Sequence, residues 1–369
     1  MVEDVWVEVD LSALRHNLAQ VRGVVGDSVK IMAVVKANGY GHGYVEPSRA
    51  FLEAGAYALG VTRLEEGLIL RNAGITAPLL LFAPIQPENA QAAIEADLDM
   101  TVADLSLVLA ISRSGKNLGK APRVHVKVDT GMGRLGVDYE DAESFVKSVD
   151  DTEGVQVAGI YTHFAGAKGK RVFPAKVQCF NLRVLSERLN LAGVDYGLAH
   201  AANSAAILRL PESRFDMVRP GTLLYGQYPA GDVPKTLDLR NAWTLKSRIC
   251  QIRLFPKGTP MGYGWEHITR RRTRAAIVPI GYADGFTLVP EGPVYRRSAL
   301  RFVAGNIKRR PTMTVRGRKA NVLGRVGMQL TAIDVTDIED ASVGDEVIVP
   351  ALRIPTNALA RRVYVESSK

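Results

Sequence analysis

A lysine stands at position 36, directly after the apolar run Ile31–Val35, and a glycine-rich turn, Ala37-Asn38-Gly39-Tyr40-Gly41-His42-Gly43, follows it. Lysine is seldom buried without a partner. An amine stripped of water and set among cations has a lowered pKa and becomes nucleophilic near neutrality, which is the property of a Schiff-base lysine. The glycines beside it permit close approach of a ligand. A second stretch, RPGTLLYG at 219–226, offers the backbone N–H groups of Gly221 and Thr222 to an anion, and Ser204 adds a hydroxyl. A phosphate and an aldehyde that captures an amine together describe pyridoxal 5'-phosphate. Other apolar runs also end in polar groups: Asp129, followed by the turn TGMGRLG, then His163, Asn203 and Arg219.

These residues need a frame that brings them to one place. From residue 30 to about 226 a short apolar run alternates with a longer segment of helical spacing, as in VQCFNLRVLSERLNLAG. Eight such runs occur, at 30–37, 56–61, 78–84, 99–104, 123–129, 155–164, 196–204 and 215–226. Continuous apolar strands between helices indicate a parallel sheet covered on both faces, and eight units indicate a closed (β/α)8 barrel with its site at the C-terminal ends of the strands. No GxGxxG follows the first run, which argues against an open dinucleotide-binding sheet. After residue 238 the pattern changes to alternating apolar and polar residues punctuated by Gly, Pro and Asp. The expected fold is therefore an α/β N-terminal TIM-like barrel, residues 11–238, followed by a C-terminal mostly-β domain, residues 239–369. The alternating N-terminal stretch 1–10 joins the second domain as a strand.

The 369 residues are 47% hydrophobic and 23% charged, the balance of a globular protein with an ample core. The start of the chain lacks the basic and apolar parts of a secretion signal, and the apolar stretch 77–85 is too short to span a bilayer. Two cysteines, Cys179 and Cys250, stand far apart and in no metal-binding spacing. A cytoplasmic protein without a metal is expected. The formal charge of +9 comes largely from clusters at 269–274 and 307–319. Neither cluster carries a nucleic-acid-binding motif, and both read as solvated strand edges, so neither a nucleic-acid nor a membrane partner is expected.

Seven stretches in order, AVVKANGYGHG (33–43), KVDTGMGRLG (127–136), GIYTHFA (159–165), HAANSAA (200–206), VRPGTLLYG (218–226), MGYG (261–264) and VPIGYADG (278–285), closely resemble the signatures of alanine racemases. The resemblance extends over nearly the whole chain. It implies a pyridoxal-phosphate racemase that interconverts L- and D-alanine and supplies D-alanine for peptidoglycan. Lys36 carries the cofactor and acts as base for the D-form, and Tyr263 is the base for the L-form, reaching in from the second subunit of a homodimer. Tyr40, Ser204, Gly221 and Thr222 hold the phosphate, with Asn203 beside them. Arg134 meets the ring's phenolic oxygen and the substrate carboxylate, and Lys127, carbamylated in relatives, steadies it. Arg219 faces the pyridine nitrogen, and His163 links Arg219 to Tyr263. A permanently charged arginine disfavours protonation of that nitrogen, which suits simple deprotonation over transamination. Met328 presents its backbone to the substrate carboxylate. Three positions depart from the family pattern: Gly327 replaces a usual cysteine, Gln329 a usual acid and Thr356 a phosphate-binding tyrosine. The departures leave racemisation of serine or a basic amino acid open as alternatives, and a decarboxylase on the same plan is a further one.

Overall fold

The computed structural model describes residues 3–229, 232–288, 311–356 and 360–367. The first residues of the basic stretch 307–319 lie outside them.

Strand β1 (Val5–Asp10) ends in an aspartate that starts a helix. The Asp10 carboxylate accepts the backbone N–H of Ala13 (3.0 Å) and caps helix α1 (Leu11–Val25). Such a cap is worth about 1 kcal/mol. Leu14, Leu18, Val21 and Val25 fall on one face of α1 and are buried. The helix ends at Gly26, whose φ of 79° stops it.

The eight apolar runs form the strands β2 (Lys30–Val34), β3 (Ala58–Val61), β4 (Leu79–Leu81), β5 (Asp99–Val102), β6 (Arg123–Asp129), β8 (Gln156–Tyr161), β9 (Leu198–Asn203) and β10 (Met217–Arg219), with a two-residue strand β7 (Val137–Asp138) beside β6. All pair in parallel around a ring, from β2 through β6, β8 and β9 to β10 and back to β2, and the β5–β6 pairing completes it. The strands are shorter than the apolar runs. In the last run Pro220 halts the strand after Arg219, and Thr222–Tyr225 coil into a 3-10 turn. In the run before it, the strand stops at Asn203, whose side chain caps a new helix from Ser204 to Arg209. Met32, Ala58, Leu80 and Met217 pack together with Phe82 and Leu198 inside the barrel.

The second unit is mostly β. It comprises the N-terminal residues to Val9 and Trp243–Val365. Strand β11 (Trp243–Arg248) pairs antiparallel with β1, and Val7 faces Leu245. Around them lie β16 (Thr312–Val315), β17 (Arg318–Asn321), β19 (Glu346–Val349) and β20 (Arg361–Val365), in the order β17-β16-β19-β11-β1-β20. A three-stranded sheet joins β12 (Gln251–Phe255), β15 (Thr273–Val278) and β18 (Thr331–Asp334). A short hairpin of β13 (Pro260–Met261) and β14 (His267–Ile268) carries Tyr263 at its tip. Among the described residues no helix is long and apolar enough to cross a membrane.

Candidate active site

A cavity of about 450 Å³ opens at the C-terminal ends of the barrel strands. Its wall brings together ten residues singled out from the sequence: Lys36, Tyr40, Lys127, Arg134, His163, Asn203, Ser204, Arg219, Gly221 and Thr222.

Lys36 follows the buried Val34 and Val35. The chain then makes a left-handed turn, with φ of 53°, 56°, 55° and 53° at Ala37, Asn38, Gly39 and Tyr40. Three of these are not glycine, and each L-residue in this region costs roughly 1–2 kcal/mol. Glu66 fastens the turn: its carboxylate accepts the N–H of Ala37 (2.8 Å) and of Thr62 (2.7 Å) and the hydroxyl of Tyr44 (3.0 Å). Burial pushes the Lys36 amine below its ordinary pKa; Arg134 lowers it further, and Glu66 partly opposes them.

The turn aims the Tyr40 phenol at Gly221. A Cβ at residue 221 would lie 2.5 Å from Tyr40 Oη, so only glycine leaves this space open. The Gly221 N–H points at Ser204 Oγ (2.9 Å). Backbone donors, a hydroxyl and a phenol thus converge on one spot, which is a cradle for an anion. Asn203 lines the same cavity, but its Oδ1 is occupied as the helix cap, accepting from Ala205 and Ala206 N (3.1 and 3.2 Å).

On the far strands, Asp129 ties down the turn that follows it by accepting from the N–H groups of Gly131 (2.9 Å), Met132 (2.7 Å) and Arg134 (3.1 Å). Partial burial alone would raise the pKa of this carboxyl, but those donors hold it low. Lys127, two residues earlier, is buried and donates to Val128 O (2.8 Å). Desolvation, then the charges of Arg219 and Arg134, drop its pKa to about 7 against the opposing pull of Asp129. Lys127 and Arg219 both lie over the ring of Tyr161, at 5.4 and 5.1 Å. Burial brings Arg219 down to about 10, and Tyr161 opposes the shift.

One expected contact is different. Arg219 donates to His200 Nδ1 (2.8 Å) and to the carbonyls of Thr162 (2.6 Å) and Ala201 (3.1 Å), and not to His163. Arg219 and His200 sit on adjacent paired strands, β10 and β9, where His200 lies opposite Met217, two residues before Arg219. His163 lines the cavity as a neutral imidazole, held to a pKa of about 3 by burial and the surrounding cations. Sequence reasoning also passed over Tyr161, Lys168, His200 and Glu66. Tyr161 stands on the alternation that includes His163, and that pattern was the signal available.

A family profile described as alanine racemase, N-terminal domain, matches residues 9–229, and one described as alanine racemase, C-terminal domain, matches 242–365. The chain belongs to the alanine racemase family. Alanine racemase 2 of Caldanaerobacter subterraneus subsp. tengcongensis is 41% identical over 344 residues, covering 93% of this chain and 84% of that protein. The solved alanine racemase of Clostridium difficile 630 matches with a TM-score of 0.90 at 32% identity, over 100% of this chain and 97% of that one. The alanine racemase of Bacillus anthracis, solved with bound L-Ala-P, matches with a TM-score of 0.84 at 28% identity, over 100% and 97%. Racemisation of alanine is the reaction these relatives support. Neither another amino acid nor decarboxylation, the alternatives left open by the sequence, finds support among them.

Two of the stretches singled out from the sequence meet in the second unit. The N–H groups of Tyr282 and Ala283 donate to the carbonyls of Gly327 and Met328 (both 3.1 Å), so the GYADG turn clasps the Met328 loop. Met328 itself is exposed, as is Gln329. Thr356 is buried and its hydroxyl donates to Leu352 O (2.7 Å), so it is spent within the backbone. Tyr263 is 72% exposed on its hairpin tip.

Proposed function

We propose that this racemase holds pyridoxal phosphate at the barrel mouth and moves the Cα proton of alanine with two bases, Lys36 and Tyr263. The observation that carries the reading is the convergence of a depressed amine, an anion cradle and two arginines in one cavity. The residues fit the cofactor. Gly221, Thr222, Ser204 and Tyr40 would take the phosphate in the space that a Cβ at 221 would fill. Lys36 would hold the aldehyde carbon covalently. Arg219 would face the ring nitrogen with its remaining donors, and its fixed charge would keep that nitrogen unprotonated. Bound there, pyridoxal phosphate supplies an electron-withdrawing ring that acidifies the substrate Cα–H.

The protein's own groups then do the proton work. Arg134 binds the substrate carboxylate and sets which Cα bond faces which base. Lys36, its pKa lowered by burial and by Arg134, takes or returns the proton on one face. Inversion needs a second base on the opposite face. The other phenols of the cavity wall are committed, Tyr161 to Thr101 (2.8 Å) and Tyr40 to the cradle. Tyr263, exposed on its hairpin, fits the role as a residue that reaches into the partner subunit's cavity, with Met328 on the same unit directing its backbone to the substrate carboxylate. The assembly is then a homodimer with composite sites. Lys127, half neutral at pH 7, can take up carbon dioxide and become an anion between Arg134 and Arg219.

Borohydride reduction of the loaded enzyme followed by peptide mapping tests the anchor. A pyridoxyl group on Lys36 is expected, and its absence there would sink the proposal.

A further inference from the structure

Beneath Arg219 a chain of polar side chains runs down the inside of the barrel, and the proton transfers described above give it no task. His200 accepts from Arg219 at Nδ1, and its Nε2 faces His125 Nδ1 at 3.0 Å. His125 Nε2 lies 3.6 Å from Asp99 Oδ2, and Asp99 Oδ1 accepts from Arg123 Nε (2.7 Å). Asp99, His125, His200 and Arg219 are each at most 5% exposed. Arg219 is the last residue of its strand and Asp99 the first of its own, so the chain connects the mouth of the barrel to its floor.

Donor counting sets the polarity. Arginine only donates, so His200 accepts at Nδ1 and carries its proton on Nε2. That proton makes His125 Nδ1 an acceptor and places the His125 proton on Nε2, toward the carboxylate. At 3.6 Å the Asp99 carboxylate is beyond hydrogen-bond reach, but its negative charge favours the same direction. An extra proton on either ring would set two donors face to face at one junction. The barrel makes room for the arrangement. His125 pairs across from Gly159, where a Cβ would lie 2.4 Å from His125 Nδ1. Tyr161 stacks flat on His200, with centroids 4.8 Å apart and planes within 3°. Three of the five Arg219 donors are used on His200, Thr162 and Ala201; two remain on a side chain that lines the cavity.

We propose that Asp99 and His125 are positioning residues for the racemisation: they lock His200 in the tautomer that accepts from Arg219, and so hold the two remaining guanidinium donors on the cavity. The functional part rests on Arg219 facing the cofactor; the tautomer part does not, because it is read without turnover.

The test uses the full-length holoenzyme labelled with 15N at its histidines. In the parent, ring-nitrogen NMR should find both His125 and His200 protonated on Nε2 alone. In Asp99→Asn only the Arg219 end still sets the direction, so an Nδ1-protonated form of His125 should appear beside the Nε2 form, at the cost of its contact with His200, and kcat should fall about tenfold with KM within about twofold, the scale of one misdirected hydrogen bond to a charged group. Support needs both changes; either alone overturns the proposal, as does a parent ring protonated on Nδ1. If Asp99→Asn fails to fold, His125→Asn and His125→Leu decide. The Asn amide oxygen can replace Nδ1 as the acceptor for His200, so it should keep kcat within about threefold while Leu loses about tenfold. Equal losses would mark His125 as packing only and overturn the assignment.

Discussion

Replacing Gly221 by alanine puts one methyl group where the anion cradle is tightest. The added Cβ would lie 2.5 Å from Tyr40 Oη and 3.0 Å from its Cζ. Ordinary contact needs about 3.4 Å or more, so the phenol must retreat by roughly 1 Å. It has little freedom to do so gently. Tyr40 closes the left-handed turn, and its ring packs against Tyr225 at 4.9 Å. The Gly221 φ of −119° is negative, so the substitution meets no left-handed strain. The loss therefore falls on the phenol's hydrogen bond to the phosphate. A hydrogen bond to a charged group is worth about 1.5–3 kcal/mol, so cofactor affinity should drop about 10- to 150-fold. Equilibrium titration of the cofactor-free protein with pyridoxal phosphate, followed by its absorbance, measures this. Tyr40→Phe should lose a similar amount, and the double variant should lose little more than either single one, because both act on the same bond. Parent-like affinity in Gly221→Ala, or full additivity with Tyr40→Phe, would refute the cradle.

Tyr263→Phe should abolish inversion in both directions while Cα deuterium exchange of D-alanine continues through Lys36; equal loss of exchange from both enantiomers would remove the assignment of faces. With 13C-labelled bicarbonate at neutral pH, a carbamate carbonyl signal should appear in the parent and vanish in Lys127→Ala; a signal that survives the substitution lies elsewhere. Removing the Arg219 charge in Arg219→Gln should raise the Lys127 pKa above about 7, since that cation is one of the causes of its depression, and carbamate formation at neutral pH should slow; an unchanged rate would argue against that coupling. His163 is held near pKa 3 in the fold against an ordinary 6.5, so the unfolded chain binds its proton first. Stability should fall as pH drops through the window from about 6.5 to about 3, and His163→Phe should flatten that part of a urea-unfolding series.

The barrel was legible because buried parallel strands read as unbroken apolar runs, and strand ends pointed to the mouth. Lys127 shares its inward face with His125 and Asp129 on β6 by simple alternation. Strand register was not legible. It sets His200 opposite Met217, two residues before Arg219, although His163 stands nearer the end of its own run, and it puts Gly159 of the intervening strand opposite His125, whose ring meets His200 across 75 residues. A histidine inside an apolar run has many possible partners until that register is known. The left-handed turn was half legible: Gly39 and Asn38 suit it, whereas Ala37 and Tyr40 adopt it only because Glu66 and the packing around Tyr225 hold them there.

Among the described residues lining the cavity there are five cationic side chains, Lys36, Lys127, Arg134, Lys168 and Arg219, and no carboxylate. This imbalance makes the cations of the wall repel one another. Lys36 is lowered in part by Arg134, and Lys127 in part by Arg219 and Arg134. A phosphate and a substrate carboxylate each bring the charge that is lacking. Their arrival must reverse part of those depressions, because an anion near an amine favours its protonated form. Anion binding and proton uptake are therefore linked in this cavity, and the linkage is reciprocal. Raising the pH above about 7 should weaken anion binding as Lys127 loses its proton. Binding of sulfate, which carries no proton of its own near neutrality, to the cofactor-free protein, measured by calorimetry in two buffers of different ionisation enthalpy, should be accompanied by net proton uptake. Binding without proton uptake would mean that the cations of this wall do not share their charge as their placement requires.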